Sequence, residues 1–189
     1  MRAFKLDGIV IKRRNVGEGD RILTVFSKNR GKIQIKAKGV RKITSRRSGH
    51  IELLNYCIFN LHQGKNMPIL TEVEAREDFY NLKQDLKKIG LAYHVCELVD
   101  GLCAENLPAG RQDQETPEIF LLLGRTLRKI SKGEGSKQVI KQFELSLLKL
   151  LGFYSRSEGI ELNTHEFIEN ILERKLKSKQ VVLQLYKRS

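Results

Sequence analysis

DRILTVFSKNRGKIQIKAKGV, residues 20–40, is the stretch whose reading decides the fold. DRILTVFS mixes β-branched and aromatic residues, the side chains that suit a pleated, half-buried surface. KIQIKAKGV alternates strictly. Ile33, Ile35 and Ala37 point one way, and Lys32, Gln34, Lys36 and Lys38 point the other. KNRG between the two runs predicts a hairpin connection, with Gly31 available for positive φ. The pair therefore reads as an antiparallel hairpin with one apolar and one cationic side, followed by a bend at Gly39.

Upstream lies FKLDGIVIKRR, an apolar run with Ile9, Val10 and Ile11 at its centre. Downstream, a polar loop (KITSRRSGH) leads to IELLNYCIFNLHQG and MPILTEVEARE, two further strands joined by a turn around Gly64–Pro68. Five short strands with no helix-length pattern between them predict a small closed barrel, because a flat sheet of that size leaves its edges exposed. After residue 78 the apolar period changes to that of a helix. Phe79, Leu82, Leu86, Ile89, Tyr93, Cys96 and Val99 recur at i, i+3/i+4 spacing. The proline-containing segment 105–117 reads as a loop, with Pro117 at a helix start. A second amphipathic helix follows, ending near Gly152. A third starts with Thr164 as its cap. The expectation is an α+β chain: a barrel over 1–78 and a bundle of four to five helices over 79–189.

The chain of 189 residues has 40% hydrophobic and 30% charged side chains, the composition of a folded protein. It shows neither an apolar run of membrane-span length nor a secretory leader, so a cytoplasmic location is expected. The three cysteines, Cys57, Cys96 and Cys103, have no disulfide or metal-ligand spacing and are expected as buried thiols. No phosphate-binding loop of the form G-x-x-x-x-G-K-[ST] occurs. The histidines (His50, His62, His94, His165) match no metal motif, and no nucleophile–base set can be nominated. Neither enzymatic activity nor a bound metal is expected.

The charge is the informative feature. The net charge is +13, and residues 1–80 hold 17 basic and 8 acidic side chains, leaving +4 for the rest. Residues 27–49 carry nine cations and no anion; Lys12, Arg13, Arg14 and Arg21 lie just before them. Such crowding of like charge is stabilised by a bound polyanion, although lysine on an edge strand also serves simply to prevent aggregation. The candidate nucleic-acid contacts are Lys12, Arg13, Arg14, Arg21, Arg30, Lys32, Lys36, Lys38, Arg41, Lys42, Arg46 and Arg47. Trp is absent, and the nearest aromatics (Phe26, Tyr56, Phe59) read as core. Binding is therefore expected to be led by the phosphate backbone and to tolerate any sequence.

GEGDRILTVFSKNRGK and AKGVRKITSRR resemble the N-terminal signature of the RecO recombination mediators of bacterial DNA repair. FELSLLKLLGF and ERKLKSKQVV resemble that family's helical signature more loosely. The resemblance implies an N-terminal OB-fold and a C-terminal helical domain. It also implies binding of single- and double-stranded DNA and annealing of complementary strands without ATP. Further, it implies work with RecR and with single-stranded-DNA-binding protein to load recombinase. Many members carry a four-cysteine zinc-ribbon-like insert after the L-G-[FY] helix. Here GFYSRSEGIELNTHEF runs on without cysteine, so zinc is not predicted and the bundle is expected to be smaller than usual. Charge and fold alone also fit an RNA-binding OB-fold protein or a scaffold for an acidic protein tail.

Overall fold

The computed structural model describes residues 3–103, 116–134, 136–153 and 163–178. Five strands, β1 (Ala3–Val16), β2 (Asp20–Ser27), β3 (Gly31–Ala37), β4 (Tyr56–His62) and β5 (Ile69–Glu77), close into a barrel in the order β1-β2-β3-β5-β4. This is the five-stranded OB-fold. Among the described residues five helices follow: α1 (Tyr80–Lys83), α2 (Leu86–Leu102), α3 (Thr116–Lys132), α4 (Ser136–Leu150) and α5 (Thr164–Leu172). Among the described residues, one compact unit comprises 3–78 and the start of α3 through Phe120. The other comprises 79–103 and the residues from Leu121 onward.

The β2–β3 hairpin forms as the pattern predicts. Ser27 pairs with Gly31, and Gly31 takes φ 60°. The Ser27 hydroxyl accepts the Arg30 N–H and donates to the Gly31 carbonyl, closing the turn from inside. Ile33, Ile35 and Ala37 enter the barrel core with Leu6, Val10, Leu23, Val25, Phe59 and Leu61. β1 serves two neighbours, β4 through residues 3–9 and β2 through 8–16. Gly8 sits at the crossover, where a Cβ would fall 2.3 Å from Val25 Cγ1, so only glycine fits. A bulge between Val10 and Lys12 then turns the strand. The barrel closes between β3 and β5 through one parallel pair, Lys36 with Ile69, and the bond from Lys36 N–H to the Pro68 carbonyl.

In the helical unit the single helix expected from residue 79 breaks. Phe79 adopts φ 52°, α1 lasts one turn, and Asp85 caps α2 by accepting from the Lys87 and Lys88 N–H groups. After the break Leu86 is 85% and Tyr93 48% exposed instead of in the core, and Leu91, Val95 and Leu98 are buried in their place. Phe79, Leu82, Cys96 and Val99 are buried as the pattern predicts. α4 ends as its sequence suggests: Gly152 takes φ 74°, and the Phe153 N–H bonds to the Leu148 carbonyl. α5 is capped by Asn163 and not by Thr164, whose hydroxyl donates to Glu144 instead. The three cysteines are buried and form no disulfide. Burial first, and then Asp100, pushes the Cys96 thiol up to about 12.

Candidate nucleic-acid interface

The basic run is continuous in sequence but divided in space. The turn carrying Lys28 and Arg30 sits at one end of the β2–β3 hairpin. Lys36, Lys38, Arg41 and Lys42 sit at the other, seven strand residues away, or about 20 Å. Arg30 stacks its guanidinium over the Phe4 ring at 4.3 Å, away from the main cluster.

The face of β3 opposite the core is not an open cationic surface. Lys32 pairs with Phe26, Gln34 with Thr24 and Lys36 with Ile22. Residues paired across an antiparallel ladder share a face, and Phe26, Thr24 and Ile22 are themselves 1%, 7% and 7% exposed. Lys32 is accordingly buried at 6%. Alternation reports which side chains share a face, but not whether that face is wet. β2, an almost continuous apolar run, buries both of its faces.

The exposed cations gather where the β1–β2 turn meets the loop after β3. Three contacts dock that loop. The Gly39 N–H donates to Asp20 Oδ1 at 2.9 Å. The Arg41 N–H donates to the Gly19 carbonyl at 3.0 Å, and the Arg41 guanidinium donates to the Gly17 carbonyl at 2.9 Å. Arg47 ties the far side of the loop to β5. Its guanidinium donates to the Leu70, Thr71 and Lys38 carbonyls at 3.0–3.3 Å. The docked loop leaves Lys38, Arg41, Lys42 and Arg46 exposed, with Ile43 fully exposed among them. Lys12, Arg13 and Arg14 are exposed along the outgoing half of β1.

Two carboxylates from outside the basic run temper this surface. Glu52 pairs with Arg13 and, at 3.2 Å, with Arg21, which also donates to Asn15. Asp20 pairs with Lys36 at 3.3 Å. Its carboxyl is lowered from the ordinary value chiefly by the Gly39 backbone hydrogen bond, against the cost of burial, with further help from Lys36 and Lys38. Arg21, Lys36 and Arg47 thus hold the fold together, while Lys12, Arg14, Lys38, Lys42 and Arg46 face outward; Arg13 and Arg41 are exposed but also hold Glu52 and the Gly17 carbonyl. Phe26 and Phe59 are core, and Tyr56 lies edge-on to Phe120 at 5.7 Å, so none of the three offers a free stacking face. A neighbouring open groove of about 520 Å³ is lined by Lys5, Arg46, Arg47 and Arg76, but also by Asp7, Glu72 and Glu74. Its mixed charge makes it a weaker anion site than the loop.

The sequence matches the family described as Recombination protein O, N terminal, over residues 1–79, and Recombination protein O, C terminal, over residues 83–158. The chain belongs to the recombination protein O family. The DNA repair protein RecO of Acetivibrio thermocellus is 39% identical over 154 residues, covering 81% of this chain and 59% of that protein. The DNA repair protein RecO of Roseiflexus sp. is 35% identical over 152 residues, covering 80% and 51%. That of Pelotomaculum thermopropionicum is 35% identical over 153 residues, covering 81% and 57%. The chain therefore spans between half and three-fifths of the length of these relatives. Among the described residues, no helix is long and apolar enough to cross a membrane.

Proposed function

We propose that this recombination protein O chain is a DNA-repair and recombination mediator. It binds single- and double-stranded DNA through the loop after β3 and the adjoining end of β1, and it anneals complementary strands without nucleotide hydrolysis. The observation that carries the reading is the loop itself. It exposes Lys38, Arg41, Lys42 and Arg46 on a segment pinned by backbone hydrogen bonds to the β1–β2 turn and by Arg47 to β5. A pinned cationic loop presents its charges without ordering cost at each encounter. It screens two phosphate backbones at once and raises local strand concentration, after which base pairing supplies the driving force. The reading assigns no catalytic residue. Its partners are RecR and single-stranded-DNA-binding protein, with recombinase loading as the outcome, in the cytoplasm at the nucleoid.

The test mixes complementary strands coated with single-stranded-DNA-binding protein and follows duplex formation. The expected result is acceleration at low salt without ATP, reduced in the Lys38→Ala/Lys42→Ala/Arg46→Ala variant. No acceleration by the wild-type chain at low salt removes the annealing claim. A marked preference for RNA over DNA of equal length replaces the reading with RNA handling.

A further inference from the structure

The helical unit brings together three groups that no sequence motif connects: His94 on α2, Glu144 on α4 and His165 on α5. His94 is 0% exposed and Glu144 2%, while the His165 side chain is 16% exposed. Their donor atoms all lie within 4.8 Å of one another. His94 Nε2 and His165 Nδ1 each stand 2.9 Å from the same oxygen, Glu144 Oε1.

The protons in this cluster can be followed. Glu97 accepts the Ser178 hydroxyl at 2.7 Å, which uses that hydroxyl's single hydrogen. Ser178 Oγ therefore accepts from His94 Nδ1, 2.7 Å away, and Nδ1 carries the ring proton. A singly protonated His94 then turns the lone pair of Nε2 toward Glu144 Oε1. His165 Nδ1 points into the same space without a hydrogen bond of its own, although it is close enough for a charge interaction. The other carboxylate oxygen, Oε2, accepts the Thr164 hydroxyl. Two imidazole nitrogens converge on one buried carboxylate oxygen. A ring proton on each histidine can serve its own contact, whereas a single metal ion serves both at once.

We propose that His94, Glu144 and His165 form a structural site for a divalent first-row transition ion, best suited to zinc, which clamps α2, α4 and α5 together. Two imidazole nitrogens and a carboxylate are a ligand set zinc accepts readily. The His94 Nδ1–Ser178–Glu97 chain is the outer hydrogen bonding that fixes a ligand histidine's tautomer. Donors on a tetrahedral ion stand about 3.4 Å apart, so each ring has to withdraw from Glu144 Oε1 by roughly half an ångström, with the two ring nitrogens drawn to the same spacing from within 4.8 Å. The site is distinct from the four-cysteine insert associated with the family.

The test strips the full chain with a chelator and titrates it with zinc against a chromophoric competitor, and separately with cobalt. The expected result is one zinc per chain, a melting temperature that rises with free zinc, and cobalt bands of a nitrogen–oxygen site. His165→Gln, at the least buried ligand, should weaken binding by more than about tenfold with an unchanged circular dichroism spectrum. Glu144→Gln should do the same or more. No stoichiometric uptake overturns the proposal and leaves a buried histidine–carboxylate cluster. Uptake unaffected by both substitutions, or cobalt–thiolate charge-transfer bands, overturns it as well.

Discussion

Arg47 and Lys42 lie five positions apart in one basic loop, and their surroundings give them opposite roles. Arg47 spends its guanidinium on three backbone carbonyls from β5 and the segment after β3, whereas Lys42 is exposed. Arg47→Lys keeps the charge but loses the fork. It should destabilise the protein by about 1–3 kcal/mol in denaturant unfolding. Lys42→Ala should leave stability within about 0.5 kcal/mol and lower DNA affinity similarly for all sequences. Gly8→Ala belongs to the same scale: its methyl meets Val25 Cγ1 and the Phe26 carbonyl. An unfolding titration should show a loss of about 1–3 kcal/mol from overpacking. Glu52 acts in the other direction. Glu52→Gln releases Arg13 and Arg21, so single-stranded DNA should bind a few-fold more tightly at low salt, with the gain vanishing at high salt.

At the scale of elements, the turn Leu176–Lys177–Ser178 is held by two carboxylates on separate helices. Glu97 of α2 accepts the Lys177 and Ser178 N–H groups, the Ser178 hydroxyl and the Arg174 guanidinium. Glu169 of α5 accepts the Leu176 N–H and Lys175. Burial raises the Glu97 carboxyl, but these hydrogen bonds outweigh it and hold the group at about 2 against the ordinary 4.5. A carboxyl lowered in the folded state contributes stability that is complete above its unfolded value and is lost as pH falls toward the folded one. The chain should therefore lose on the order of 2–3 kcal/mol between about pH 5 and pH 2 through this group. Glu97→Gln should be less stable at neutral pH and flatter across that window, as measured by unfolding at a series of pH values. The hairpin was legible in the sequence because period-two alternation and a turn glycine are local signals. The covered face that buries Lys32 was not, because coverage is decided by what lies outside the strand. The pairing of Arg13 and Arg21 with Glu52, and the meeting of His94 with His165, were equally hidden, since each joins residues far apart in the chain.

At the scale of the whole molecule, the field of +13 is resolved into structural and outward-facing cations. The barrel buries or pairs Lys32, Lys36, Arg21 and Arg47, and it exposes Lys38, Arg41, Lys42 and Arg46 on one loop and Lys12, Arg13 and Arg14 on one strand end. The proposal of backbone-led binding rests on that distribution, since among the described residues no exposed aromatic face accompanies the loop. The β-then-α architecture and the family were legible from periodicity and from two motif stretches. The helix break at Phe79–Asp85 was not, because a continuous apolar pattern masks a one-turn helix.

The most direct test measures the affinity of single-stranded DNA as a function of salt, for the wild type and for Lys38→Ala/Lys42→Ala/Arg46→Ala, on two unrelated sequences. Each phosphate contact contributes about −0.7 to the slope of log affinity against log salt. The account predicts a slope shallower by about 2 in the variant, equal for both sequences, with unfolding unchanged. An unaltered slope, or a loss confined to one sequence, would contradict it.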